Sequence, residues 1–115
     1  LASGLIDKVK QSSITEVQSE NQTIEFIRRY CLEATSPLCG NSIGHDRQFL
    51  RKYMRKLHDY FHYRSIDVSS IKELVERWYP NGPKPLSKSE KHVAITDVRE
   101  SIEELRFYRK HYFIP

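Results

Sequence analysis

Acidic and histidine side chains at two places in the chain could together carry out metal-assisted hydrolysis. Residues 41–50, Asn-Ser-Ile-Gly-His-Asp-Arg-Gln-Phe-Leu, place Asp46 at the start of an expected helix. Residues 92–97, His-Val-Ala-Ile-Thr-Asp, place His92 shortly before Asp97. A metal-dependent hydrolase of phosphodiesters needs carboxylates that bind the ions and a nearby base that activates water. Neither segment is specific by itself, but the two together indicate this chemistry.

Each of these side chains also has an ordinary structural explanation. Asp46 could be the N-cap of its helix, because Asp is a favoured N-cap residue. Asp97 borders the apolar face of the last expected helix, where an arginine or a backbone donor could satisfy its charge instead of a metal. His92 could be an exposed polar residue. The residues alone leave these alternatives open.

Length and composition indicate a single globular domain. The chain has 115 residues, of which 38% are hydrophobic and 30% charged, and its net charge is +4. That charge permits a polyanionic partner without requiring one. No stretch approaches the roughly 20 apolar residues of a membrane span, and the first residues lack the pattern of a signal peptide. We therefore expect no membrane partner and a cytoplasmic location, with Cys31 and Cys39 as reduced, buried thiols rather than a disulfide.

The hydrophobic pattern predicts helices that alternate with strands, which is typical of a parallel α/β arrangement. Capping boxes are expected at Thr15–Gln18 and at Ser70–Glu73. The expected elements are a helix over 15–34, a strand over 38–41, a helix over 46–60, a strand over 63–68, a helix from about 70 and a last helix over 92–112. Among the side chains expected to face the core are Phe49, Tyr53, Leu57, Trp78, Val98 and Tyr108. Two strands are too few for so many amphipathic helices, so we expect further strands upstream of Leu1.

Two further segments are open to more than one interpretation. The helix over 46–60 carries a basic face that is expected to be a solvated surface and could steer an anionic substrate. Its members are Arg47, Arg51, Lys52, Arg55 and Lys56. Residues 60–64, Tyr-Phe-His-Tyr-Arg, could stack bases and hold phosphate, or could form a turn of the core with a surface arginine.

Three motifs in order along the chain resemble the oligoribonucleases, which are 3′→5′ exoribonucleases of the DEDDh group with an RNase H-like fold. The motifs are Asn41-Ser42-x-x-x-Asp46-x-x-Phe49-Leu50, His62-Tyr63-Arg64-x-x-Asp67-Val68-Ser69 and His92-x-Ala94-x-x-Asp97. The resemblance extends over nearly the whole chain and is far more specific than either acidic segment. It implies an α/β fold of the RNase H-like class.

The resemblance also implies a role for each matching residue. Asp46 and Asp97 would be the third and fourth acids of the family and would bind two Mg²⁺ or Mn²⁺ ions, and His92 would be the general base. The expected reaction is hydrolysis of short RNA, down to dinucleotides, to nucleoside 5′-monophosphates.

Substrate recognition would involve three other residues. Ser42 and Arg64 look like the pair that caps the terminal phosphate of a very short RNA. Tyr63 looks like the residue that extends across a homodimer interface into the active site of the other subunit. A closed cap would exclude longer strands.

One feature of the family is missing from this sequence. The first acidic motif, Asp-x-Glu, is absent. We therefore expect residues 1–115 to be a single exonuclease domain that is incomplete at its N-terminus and inactive by itself. Two alternatives remain: a DEDDh nuclease that acts on longer DNA or RNA, and a non-catalytic module that binds RNA or another partner.

Overall fold

A computed structural model describes residues 4–87 and 93–115 of the chain. Its elements are α1 (Leu5–Gln11), α2 (Glu16–Arg28), β1 (Pro37–Gly40), α3 (Gly44–Tyr53), α4 (Arg55–Tyr60), β2 (His62–Asp67), α5 (Val68–Trp78) and α6 (Ala94–Tyr112). Helices alternate with the two strands found in this part of the chain, which confirms the expected α/β class. The chain divides into two compact units, Leu1–Cys39 with Ile43–Ile66 and Gly40–Ser42 with Asp67–Pro115.

The core of the first unit lies where α2 packs against α4. Ile24, Leu57 and Tyr60 are buried there, with partly buried apolar side chains around them. The predicted capping box at the start of α2 is confirmed, since Thr15 Oγ1 accepts from Gln18 N at 3.1 Å and Gln18 Oε1 accepts from Thr15 N at 2.9 Å. The sequence therefore specifies this helix start by purely local bonds.

Strands β1 and β2 form a two-stranded sheet. Where the chain approaches them, Ala34 N donates to Tyr60 O at 2.8 Å, and His62 N donates to Ser36 O at 2.9 Å. From the first bond to the second, the residue number rises by two in both segments, so the two segments run in the same direction, as parallel strands do. The predicted parallel arrangement is confirmed.

The predicted helix over 46–60 is two helices rather than one. Helix α3 begins earlier, at Gly44, and ends at Tyr53, and Met54 interrupts the helical path with φ −136° and ψ 63°. Helix α4 then starts at Arg55, and the buried carboxylate of Glu20 accepts from Leu57 N at 3.1 Å. Because an unpaired N–H at a buried helix start is costly, Glu20 stabilises this second start.

In the second unit, α5 packs against α6. Val68 and Tyr108 are almost fully buried in it. The predicted capping box at Ser70–Glu73 is wrong, because α5 begins at Val68 and its N-cap is Asp67. The side chain of Asp67 accepts from Ser69 N at 2.9 Å, so an acid at the end of β2 starts the helix.

Several side chains that were expected to face the core are exposed. Phe49, Tyr53, Trp78 and Val98 are exposed, whereas Leu57 and Tyr108 are buried as expected. The two cysteines are unpaired, with Cys31 half-buried and Cys39 exposed. The expectation of two buried thiols is therefore wrong for Cys39.

Candidate active site

Asp46 lies in the first turn of α3 with its side chain exposed. The N-cap of that helix is Ile43, so the alternative that Asp46 is the N-cap is wrong. Within residues 4–87 and 93–115 its carboxylate has no hydrogen bond or ion pair. A carboxylate in a first helical turn is favoured by the helix dipole and here is accessible to solvent and ions.

Arg47, the next residue, is half-buried and binds β2. Its Nη2 donates to the carbonyl oxygens of His62 at 2.8 Å and Arg64 at 2.9 Å, and its Nε donates to Ser65 Oγ at 3.1 Å. The expectation that this basic helix face is only a solvated surface is therefore wrong for Arg47. This side chain connects the helix that carries Asp46 to the strand that carries Tyr63 and Arg64.

The segment His62-Tyr63-Arg64 forms a stack of flat side chains, in which Tyr63 and Arg64 are exposed and His62 is half-buried. The rings of His62 and Tyr63 lie 4.4 Å apart and are inclined by 29°, and the guanidinium carbon of Arg64 lies 5.4 Å from the Tyr63 ring centre. Tyr63 is 75% exposed. Tyr60 is buried in the core, Phe61 packs against it and Arg64 is exposed, as the interpretation of a core turn with a surface arginine expects. The binding of bases and phosphate by residues 62–64 stays a prediction. Aromatic and guanidinium planes of this kind stack nucleobases and bind phosphate.

Ser42 occupies a tight turn in the second unit. Its φ of 54° is in the left-handed region, which is uncommon for residues other than glycine. Its backbone N–H donates at 2.9 Å to Asp67 Oδ1. The same oxygen accepts from Ser69 N at 2.9 Å and from Ser69 Oγ at 2.6 Å. One carboxylate thus holds the turn that presents Ser42 and also starts α5.

Asn41 ties the same turn to α6 through buried polar groups. Its Nδ2 donates to Ser101 Oγ at 2.8 Å and to Glu104 Oε1 at 3.3 Å. The hydroxyl of Tyr108 donates to Glu104 Oε2 at 2.9 Å, and burial, followed by this bond and the Glu104 charge, raises the pKa of Tyr108. Glu104 is 5% exposed, and a buried carboxylate is stable only with such donors.

Asp97 lies in the first turn of α6, one turn before Ser101. Ser101 Oγ donates to the carbonyl oxygen of Asp97 at 2.9 Å, so the contact of Asn41 with Ser101 links the Ser42 turn to the backbone of Asp97. Its carboxylate is exposed and, in the described part of the chain, has no hydrogen bond or ion pair. The expectation that this carboxylate borders the core and needs a partner there is wrong.

The six candidate residues are divided between the two units. Asp46, Tyr63 and Arg64 lie in the first, and Ser42 and Asp97 lie in the second. His92 lies outside the described residues, so its expected role is a prediction that the structure does not address. Among the residues that are described, no three His, Cys, Asp or Glu side chains come together as a metal site. The two exposed aspartates nevertheless supply the oxygen ligands that Mg²⁺ and Mn²⁺ prefer.

Three residues with a supporting role were not assigned one from the sequence. Arg47 belongs to the expected basic helix face, Asp67 belongs to a matching motif without an assigned role, and Asn41 lies at the end of the expected strand over 38–41. Their contacts are with residues far along the chain, such as Asn41 with Glu104. Asp67 was expected inside the strand over 63–68, so its role as the N-cap of α5 was not predicted either.

Comparison with known proteins agrees with the motifs. The family model described as Exonuclease (RNase_T) matches residues 2–105. The oligoribonuclease of Vibrio cholerae is 54% identical over 97% of this chain and 62% of its own length. The oligoribonucleases of Marinobacter nauticus and Haemophilus ducreyi are 53% and 51% identical over 97% and 96% of the chain, with 62% and 61% of their own lengths covered. These matches confirm the predicted resemblance and the RNase H-like fold class.

The chain spans about three fifths of the length of these curated relatives. None of the helices in the described ranges is long and apolar enough to cross a membrane. The match to the family model covers more than half of the residues. The chain therefore belongs to the exonuclease family.

Proposed function

We propose that the protein containing this chain is a 3′→5′ exoribonuclease that hydrolyses short oligoribonucleotides, down to dinucleotides, to nucleoside 5′-monophosphates. The observation that carries this proposal is that about half of the residues, over nearly the whole chain, are identical to those of proteins named oligoribonuclease. The stack of residues 62–64 supports it, because Tyr63 and Arg64 are exposed and one end of a short single strand can bind there through a base and a phosphate.

The two exposed aspartates are proposed to bind divalent metal ions, two Mg²⁺ or Mn²⁺ in the working enzyme. Asp46 and Asp97 suit this role because neither carboxylate is engaged by another described side chain. Bound ions of this kind stabilise the negative charge that builds on a phosphate during hydrolysis. His92 is proposed to take the proton of the attacking water, since an imidazole has a pKa near neutral pH.

The remaining candidates are proposed to select short substrates. Ser42 and Arg64 would hold the terminal phosphate. Ser42 lies in a tight turn, and the guanidinium of Arg64 has no hydrogen bond among the described residues. Tyr63 would reach into the site of a second subunit in a homodimer, which its 75% exposure would allow. The unpaired cysteines agree with a cytoplasmic location, which we also propose.

The first experiment is turnover of a labelled diribonucleotide by the complete protein, with Mg²⁺ and then with EDTA. Release of mononucleotide that requires the metal is the expected result. A folded protein that releases no mononucleotide would contradict the proposal.

The same assay with a long single-stranded RNA and a long DNA separates the alternatives. A higher rate on the long strands would favour a nuclease for longer nucleic acids. Tight, salt-dependent RNA binding without any turnover would favour a non-catalytic module.

A further inference from the structure

Arg47 makes three hydrogen bonds to one short strand, and all three lie around the residues proposed to hold the substrate. Its Nη2 donates to the carbonyls of His62 and Arg64, at 2.8 and 2.9 Å, and so binds the backbone of the two residues that flank Tyr63. Its Nε donates to Ser65 Oγ at 3.1 Å, directly after Arg64. The planar guanidinium therefore fixes the backbone of residues 62–65 against α3.

The strand needs this support because little else fixes it. The described sheet has only two strands, and an isolated pair of strands is marginally stable. The side chains of Tyr63 and Arg64 are exposed, and their stacking contacts are with each other and with His62 of the same strand. These contacts therefore move with the strand. The orientation of both side chains follows the strand backbone, where Arg64 N also donates to His62 Nδ1 at 3.0 Å. A shift of the strand by a fraction of an ångström would move both side chains.

Arginine is suited to this position in a way that lysine is not. A guanidinium presents its N–H groups in a fixed planar fork, so Nε and Nη2 can bind the hydroxyl and the two carbonyls at the same time. A lysine ammonium is a flexible point charge that could reach one of these acceptors but would not hold all of them in one plane.

We propose that Arg47 is a positioning residue, which holds β2 so that Arg64 and Tyr63 meet the terminal phosphate and the end base of a short RNA. This inference rests on the proposed function. It assigns Arg47 no contact with the substrate, since its Nε and Nη2 are bonded to the strand.

The test compares Arg47→Gln and Arg47→Lys with Arg51→Gln in the complete protein. Arg51 is a matched control, because it lies one turn later on α3, is exposed, and has no hydrogen bond or ion pair among the described residues. Binding of a diribonucleotide with a 5′-phosphate and of the same dinucleotide with a 5′-hydroxyl is measured in EDTA, so that no cleavage is required. Amide hydrogen exchange over residues 62–66 is measured in parallel.

We expect both Arg47 variants to bind the phosphorylated dinucleotide roughly tenfold more weakly. Binding of the 5′-hydroxyl form should change much less, and exchange over residues 62–66 should become faster. Arg51→Gln should match the wild type in both measurements. In an Arg64→Ala background, Arg47→Gln should add little, because the residue that it positions is already missing.

Three results with the Arg47 variants would overturn the inference: unchanged exchange over residues 62–66, equal loss of binding for both dinucleotides, or the same loss in the presence and absence of Arg64. The last two would show that Arg47 only stabilises the fold. Failure of the proposed function is a separate result, namely no metal-dependent turnover by the wild type, and the binding test in EDTA does not depend on it. A fourth result, with the wild type itself, would also overturn the inference: equal binding of both dinucleotides would mean that the protein does not recognise the 5′-phosphate.

Discussion

Residues with a proposed chemical role and residues with a structural role are neighbours along this chain. Asp46 has an exposed, unengaged carboxylate, and Arg47 beside it makes three hydrogen bonds. Ser42 follows Asn41, whose amide is bonded to α6. An exposed side chain can bind an ion or a substrate without first breaking a bond in the protein. Its bonded neighbour supplies the fixed position that binding requires.

Replacing Asp97 by Asn should remove activity and leave the fold intact. The exposed carboxylate has no described partner, so the free energy of unfolding should fall by less than about 1 kcal/mol, which is the size of a lost first-turn charge. The loss of a metal ligand should lower kcat by at least about a hundredfold. Thermal unfolding and dinucleotide turnover are measured together, with Asp7→Asn as a control at another exposed acid. Wild-type turnover in Asp97→Asn would contradict the metal-binding role.

Replacing Tyr63 by Ala should weaken substrate binding without affecting the metals. Stacking of one base on an aromatic ring contributes about 1–3 kcal/mol, so the KM for a dinucleotide should rise by roughly tenfold or more. Tyr30→Ala is the matched control, because Tyr30 is 73% exposed on the same unit and belongs to no proposed site. The dependence of the rate on Mg²⁺ concentration is measured for both variants. A changed metal dependence in Tyr63→Ala alone would show that Tyr63 does not act on the substrate.

At the scale of elements, the start of α5 shows what local sequence does and does not specify. Ser70 and Glu73 have capping-box spacing, yet Asp67 is the N-cap. Asp67→Ala should lower the free energy of unfolding by about 1 kcal/mol through loss of the cap, and somewhat more because the Ser42 N–H loses its acceptor. Ser70→Ala should stay within about 0.5 kcal/mol of the wild type. Urea unfolding compares the two, and a larger effect at Ser70 would restore the original capping prediction.

Elements were predictable from the sequence wherever the stabilising contacts are local. The capping box of Thr15 and Gln18 lies within four residues, and the prediction of that helix start was correct. The break at Met54 was missed because no glycine or proline marks it. The carboxylate that stabilises the next helix start is that of Glu20, which lies on α2. The three bonds from Arg47 to β2 are likewise contacts between separate elements that no spacing rule detects.

The sequence indicates which residues are candidates for the site, but it does not indicate how buried their side chains are. The sequence motifs predict roles for six residues, Ser42, Asp46, Tyr63, Arg64, His92 and Asp97. The burial of these side chains was not predictable, and Asp97 was wrongly expected at the edge of the core. Periodicity identifies the apolar face of a helix, but whether another element covers that face depends on the rest of the molecule.

At the scale of the whole molecule, the described residues bury few apolar side chains and expose many. The buried ones are Ile24, Ile43, Leu57, Tyr60, Val68 and Tyr108. Trp78, on the face of α5 that was expected to point inward, is 67% exposed. Exposed apolar surface on this scale is typical of surfaces that associate with other protein. The 115-residue chain produced alone therefore offers a direct test of how Trp78 is placed.

Trp78 is the only tryptophan in the sequence, so its fluorescence reports on this one position. In the isolated chain at low concentration, we expect emission at nearly the wavelength seen in urea, and quenching by acrylamide almost as efficient as in the unfolded chain. Leu57→Ala is the control for folding. It should lower the free energy of unfolding by about 2–5 kcal/mol, because it leaves a cavity in the core. Such a loss occurs only if the chain is folded under the conditions of the fluorescence measurement. Emission at shorter wavelength at every concentration would mean that Trp78 is buried within the chain, which would contradict its exposed position on α5. A shift that appears only on concentration would instead show two copies covering that face, since burial that depends on concentration requires association.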